Sequence, residues 1–238
     1  MNAPYGMELR EDCVDCTMTK SGYFCKLSDA AVAALDRIKF TSSYPSGAVL
    51  FVEGQSPRGV FMVCKGRVKL TMASAEGKTV LVRICDAGEM LGLHSTISDE
   101  PYEMTAETLE PCQINFVRGH DFLKLLRDFP EAYAMAAQQL TTLYRGACHQ
   151  IRYLGLSQNA TEKLARFLME SAHRGEDTGQ GIRVNLRLTH EEIAQVIGVS
   201  RETVTRSLSE LRSKMVISTK GPHVLIRNKS ALEAMVAA

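Results

Sequence analysis

The sequence has no run of about 18 uninterrupted apolar residues and no basic, apolar leader, since Met1 to Cys16 carries acidic residues instead. A membrane-spanning helix and a cleaved secretory signal are therefore not expected, and the chain reads as a soluble, unprocessed cytoplasmic protein. It also lacks the regular, even cysteine framework of a small secreted domain: its seven cysteines in 238 residues suit a reducing compartment. No glycine-rich phosphate loop, Ser/His/Asp set or paired-carboxylate arrangement stands out, so enzyme chemistry is unsupported. The formal net charge is only +1, which by itself does not point to nucleic acid. Its distribution says more. From Ala160 onward there are 12 Lys/Arg against 9 Asp/Glu, and before it 16 against 18, an asymmetry that suits a DNA-facing C-terminal part.

What is there reads as an α+β chain of two cores. A helix over Ser28 to Ile38, with Ser28 as N-cap, precedes short apolar strands at Ala48–Val52, Gly59–Cys64, Arg67–Met72, Thr79–Cys85 and Cys112–Val117. Gly66, Gly77 and Gly88 recur between them at the spacing of turns that need a positive φ, which predicts an antiparallel β-roll or barrel. After Pro130 the period changes to that of a helix. Tyr133, Ala137, Leu140, Tyr144, Ala147, Ile151 and Leu154 follow a 4-3 spacing that lays one apolar seam along it. Small residues in that seam allow close approach, and a homodimer interface is expected there. The expected organisation is a cysteine-containing segment at 1–27, a β-roll domain at 28–129, a dimerisation helix at 130–158 and a C-terminal domain at 159–238.

Thr189-His-Glu-Glu192 has the form of a capping box at a helix start. Gly198-Val199 then makes a turn, and Ser200 caps a second helix from Arg201 to Lys214 whose apolar stripe is Val204, Leu208 and Leu211. Two short helices joined by a tight glycine turn form a helix-turn-helix. The stripe leaves Arg201, Glu202, Thr205 and Arg206 on the free face. Arginine offers paired donors to guanine O6 and N7, and glutamate accepts from cytosine N4. Glu202 and Arg206 are also four residues apart and could simply pair with each other.

From about Leu27 onward the chain resembles the CRP/FNR family, most specifically in Leu188-Thr-His-Glu-Glu-Ile-Ala-Gln-Val-Ile-Gly-Val-Ser-Arg-Glu-Thr-Val-Thr-Arg206. The resemblance implies a cyclic-nucleotide-binding-like β-roll, a long dimer helix and a winged helix-turn-helix. It implies base contacts from Arg201, Glu202 and Arg206, with Thr189, Ser200 and Thr205 beside them. Met215 to Arg227 resembles the β-wing, placing Lys220 and His223 near phosphates. The expected partners are double-stranded DNA with inverted TGTGA-like half-sites, a second copy of the chain, and RNA polymerase. No membrane partner is expected.

In cyclic-nucleotide-binding members of the family, a glutamate in the turn holds the ribose and an arginine holds the phosphate. Here Leu93 and Met104 stand at those places, so cAMP is not expected. Cys13-Val-Asp-Cys16 and Cys25 form a set of soft ligands that needs a fourth thiolate, for which Cys112 is the candidate. Oxygen sensors of the family hold a 4Fe-4S cluster through three N-terminal cysteines and one in the sensor domain, and the setting of Cys112 resembles that of the last. In one departure, eight residues separate Cys16 from Cys25, more than in the best-known member. The expected function is a redox-responsive transcription regulator. Its alternatives are the same regulator with a zinc or thiol-oxidation switch, haem sensing with a residue such as His94, or a thiol oxidoreductase using Cys13 and Cys16. The last would need a strand before the motif and a helix after it in a βαβ unit. Cys64, Cys85 and Cys148 read as small apolar core residues.

Overall fold

The computed structural model describes residues 4–6, 12–13, 16, 22–73, 76, 79–156, 159–172, 175–186 and 188–237, without the side chains at 4, 149–150, 152–156 and 237. Gly77, Val14, Asp15 and the side chain of Leu154 lie outside the described set. Contacts divide the chain into two units, Met1–Tyr144 and Arg145–Ala238. The boundary falls inside the long helix, where the sequence places it at the helix end.

In the first unit, α1 (Asp29–Ile38) begins at Ser28, whose hydroxyl accepts from the Ala31 N–H. It runs directly into β1 (Lys39–Tyr44), followed by β2 (Val49–Phe51), β3 (Gly59–Lys65), β4 (Val68–Ala73), β5 (Thr79–Cys85) and β6 (Met90–Leu91). A short helix, α2 (Leu93–Ser98), leads to β7 (Thr105–Thr108) and β8 (Cys112–Arg118), and α3 (Gly119–Asp128) closes the roll. The strands form two antiparallel sheets, β1-β8-β3-β6 and β2-β7-β4-β5. The polar strand β1, with the two-residue β6 and the short β7, carries too little apolar alternation to be read in the sequence.

Alternation along β3 and β8 sorts side chains between two cores. Phe61, Val63, Cys112 and Ile114 face the interior between the sheets, with Phe51 stacked on Tyr102 at 4.1 Å. Val60, Met62 and Val117 face the other way, onto Phe24, Leu35, Phe122 and Leu126. Tyr102 is fully buried; its hydroxyl donates to the Gly59 carbonyl at 2.8 Å and accepts from the Arg58 N–H at 3.1 Å.

The helix α4 (Pro130–Leu156) has two dissimilar faces. Ala132 and Ala136 are buried on the outer core of the roll, and Gln139 beside them donates to the Met90 carbonyl at 2.5 Å and accepts from its N–H at 3.3 Å. On the other side Tyr133, Tyr144 and Ile151 are 50%, 71% and 70% exposed, and Ala137 and Ala147 are exposed with them. Leu140 differs from its seam neighbours, being partly buried against the core of its own unit.

The second unit holds α5 (Ala160–Ala172), β9 (Glu176–Asp177), β10 (Ile182–Asn185), α6 (His190–Ile197), α7 (Arg201–Ser213), β11 (Ile217–Lys220), β12 (His223–Ile226) and α8 (Lys229–Ala237). Its sheet runs β11-β12-β10-β9, with the two-residue β9 at one edge. Leu164, Leu168, Ile197, Val204, Leu211 and Ile226 form its core.

Replacing Tyr102 by Phe keeps the ring and removes the hydroxyl, leaving the Gly59 carbonyl without its donor. Equilibrium urea unfolding of Tyr102→Phe should show a loss of about 1–3 kcal/mol, the cost of an orphaned buried polar group.

Candidate DNA-reading surface and cysteine pocket

The α6 N-terminus is closed reciprocally. The Thr189 hydroxyl accepts from the Glu192 N–H at 3.1 Å, and the Glu192 carboxylate accepts from the Thr189 N–H at 2.6 Å. Gly198 ends α6 in the left-handed region, φ 67°, and Ser200 caps α7 by accepting from the Thr203 N–H at 3.2 Å. Val204, Leu208 and Leu211 are buried beneath α7, while Arg201, Glu202, Thr205 and Arg206 are exposed. Among the described residues no ion pair joins Glu202 to Arg206, although helical spacing permits one; the Arg206 charge acts instead on Glu210. The Glu202 carboxyl lies below its ordinary range, held there by its own backbone N–H and the Ser200 hydroxyl.

Thr205 is engaged on the protein side. Its hydroxyl donates to the Arg201 carbonyl at 3.1 Å, which makes His190 Nδ1 the donor in the 2.9 Å contact between His190 and Thr205. That bond ties α6 to α7 across the turn. The far end of α7 is braced by Arg212, which reaches Ser209 at 2.8 Å and Thr219 of β11 at 3.4 Å. Lys220 and His223 face each other across the exposed wing turn, where Gly221 takes φ 58°.

In the first unit a small apolar cleft is lined by Cys13, Cys16, Cys25, Cys64, Met62 and Gly88, among others. Cys13 is anchored there: its N–H donates to Asp36 Oδ1 at 2.9 Å, and Asn115 Nδ2 donates to its sulfur at 3.6 Å. Burial pushes the thiols of Cys13 and Cys64 up to about 12 and raises that of Cys25. The three N-terminal cysteines named from the sequence are thus together, but Cys112 is not with them. It lies in the interior between the sheets, its thiol within reach of the carbonyls of Glu110 at 3.1 Å and Arg67 at 3.3 Å, packed on the Gly66 turn. Cys64, read as a core residue, stands on the cleft. Among the described residues no three Cys, His, Asp or Glu groups are gathered closely enough to hold one metal ion.

Where a cyclic nucleotide would need an acid and a base, Leu93 is buried among Phe122 and Leu126, and Met104 packs against the inner core. The half-buried guanidinium of Arg83 is occupied by Glu89 and by the sulfur of Cys85 at 2.9 Å. Among the described residues no helix is long and apolar enough to cross a membrane.

A β-roll followed by a long helix and a winged helix-turn-helix defines an effector-responsive DNA-binding protein. The cyclic nucleotide-binding domain model matches residues 41–129, and the Crp-like helix-turn-helix domain model matches residues 162–235. The chain is 26% identical over 220 residues to the CRP-like cAMP-activated global transcriptional regulator of Mycobacterium tuberculosis, covering 92% of this chain and 98% of that one. It is also 26% identical over 227 residues to the fumarate and nitrate reduction regulatory protein of Yersinia pestis, covering 92% and 88%. Its fold is similar to that of FixK2 from Bradyrhizobium japonicum, with a TM-score of 0.74 at 22% identity over 84% of this chain and 98% of that one. The chain belongs to the CRP/FNR family of transcription regulators. It is a DNA-binding regulator and not an enzyme, and regulators of this family act as dimers.

Replacing Thr189 by Ala removes one half of the capping box. Thermal or urea unfolding should show a loss of about 1 kcal/mol.

Proposed function

We propose that this chain is a cytoplasmic homodimer that reads an inverted repeat of TGTGA-like half-sites through α7, and that its DNA affinity responds to oxidants through a cysteine-held iron-sulfur cluster. The observation that carries the DNA reading is the exposed set Arg201, Glu202 and Arg206 on a helix capped at Ser200 and pinned by His190. Their donors and acceptor match guanine and cytosine edges in the major groove. Thr189, Ser200 and Thr205 border that face, and Lys220 and His223 at the wing suit flanking phosphates. RNA polymerase is the partner expected at the promoter from family kinship.

Dimerisation along Tyr133, Ala137, Leu140, Tyr144, Ala147, Ile151 and Leu154 is supported by the exposed apolar stripe on α4, whose opposite face is already spent on the roll. Two copies related by a twofold axis would set their recognition helices about one turn of DNA apart.

The cleft gathers soft thiol donors, the ligand type that iron-sulfur clusters take. A cluster takes thiolates at separate corners of a larger body, and when bound supplies a redox centre sensitive to oxidants. The chain's own part is to hold the cysteine segment on the roll. That segment meets α4 directly, the Tyr23 hydroxyl donating to Thr142 at 2.9 Å, and just after it Ser28 donates to Glu131 at 2.5 Å. Fixing or releasing it therefore biases the dimer helix.

Measured on a preferred duplex selected from a random pool, Arg201→Ala should weaken binding by about 1–3 kcal/mol and relax specificity at one base pair. Lys220→Ala should weaken all sequences alike and reduce the salt slope by about one. Unchanged affinity and selectivity in folded Arg201→Ala and Arg206→Ala proteins would defeat the DNA reading. Ile151→Glu, which puts a charge in the stripe, should shift sedimentation toward monomer at micromolar protein.

A further inference from the structure

Taking the cluster reading as its starting point, we propose that the fourth sulfur ligand is Cys64 of β3, and that Cys112 takes no part in the site. The sheet β1-β8-β3-β6 has two faces, and successive residues of a strand alternate between them. On β8, Cys112 and Ile114 belong to the interior core, while Asn115 belongs to the face where the cysteine segment lies and hydrogen-bonds Cys13 there. A thiol on the interior face cannot reach the other face without breaking the strand. On β3, Val60 and Met62 pack on the outer core, and Cys64, at the irregularity where the pairing with β8 slips by one residue, packs against that same core.

The backbone brings the remaining sulfurs to that same spot. Gly88 N–H donates to the Val63 carbonyl at 2.7 Å, and Val63 N–H donates to the Glu89 carbonyl at 2.9 Å, so the Gly88 turn is fastened beside Cys64. Gly22 lies directly on it. A Cβ added at Gly22 would stand 2.8 Å from the Gly88 Cα and 3.0 Å from the Cys25 sulfur. With no side chain on either residue, the Cys25 turn seats against the wall that carries Cys64. Cys13 is held from the other side by Asp36 and Asn115, and Cys16 completes the lining. Four thiols from three separate stretches of chain thus meet in one cleft, two tied to β3 through backbone contacts and one to α1 and β8. Ligation takes each as a thiolate and releases its proton.

The test uses full-length protein, reconstituted without oxygen with ferrous iron and sulfide. Iron, acid-labile sulfide and visible absorbance are read for the parent, Cys64→Ala and Cys112→Ala, after each apo-protein has been checked by thermal unfolding. Cys64→Ala should fall to background in all three readings, and Cys112→Ala should keep the parent's values. In the parent, loading should shield Cys13, Cys16, Cys25 and Cys64 from iodoacetamide, read by peptide mass, and leave Cys112 labelling unchanged. Parent-level loading in Cys64→Ala overturns the assignment, as does loss in a folded Cys112→Ala protein or shielding of Cys112 in place of Cys64. A parent that takes up neither iron nor sulfide overturns the cluster reading itself, and the assignment falls with it. If Cys64→Ala unfolds, the alkylation pattern of the parent decides.

Discussion

The sensor unit depends on one constraint: a strand shared between two cores must give every other side chain to each. Along β3 and β8 this rule separates residues that are neighbours in sequence by the thickness of a sheet. Phe61, Val63 and Ile114 close the space between the sheets, and Val60, Met62 and Val117 form the floor on which α1, α3 and the start of α4 rest. Everything that a signal at the cysteine segment could move lies on that floor. The interior, with Tyr102 bonded to the backbone at Arg58 and Gly59, supplies rigidity, and Met104 on it and Leu93 on the floor give a charged nucleotide no polar partner.

The DNA-reading unit solves a different problem, which is to hold a charged helix out in water without letting it drift. Its buried stripe of Val204, Leu208 and Leu211 supplies adhesion, but adhesion alone does not set an angle. The angle comes from directional bonds at both ends of α7: Ser200 and His190 at the first turn, Arg212 to β11 at the last. Behind it, the buried Glu162 pairs with Arg166, which also caps the Val236 carbonyl and so ties α5 to the last helix. Arg201, Glu202 and Arg206 inherit their positions from these contacts.

Much of this was legible in the residues. The capping box at Thr189, the glycine turn at Gly198 and the spacing of Val204, Leu208 and Leu211 are local signals, and local signals survive folding. Of the 4-3 seam on α4, Tyr133, Ala137, Tyr144, Ala147 and Ile151 are exposed, while Leu140 is partly claimed by the core of the roll. What could not be read is set by long-range packing. Gly59 to Cys64 is apolar on both faces, because both faces of β3 are buried, so the run carries no alternation to say where Cys64 points. Cys112 has the right neighbours in sequence and the wrong parity in space. The polar strand β1 is visible only through its pairing with β8.

Gln139 carries a mechanical consequence. It is a fully buried amide in a helix face otherwise made of apolar residues, and it answers both backbone polar groups of one residue, Met90. Were α4 to slide along its axis by a turn, Ala136 or Leu143 would come opposite Met90 and neither could replace those bonds. The helix is therefore indexed to the roll like a toothed rack. It can transmit tilt or twist about that point, and travel along its length is locked.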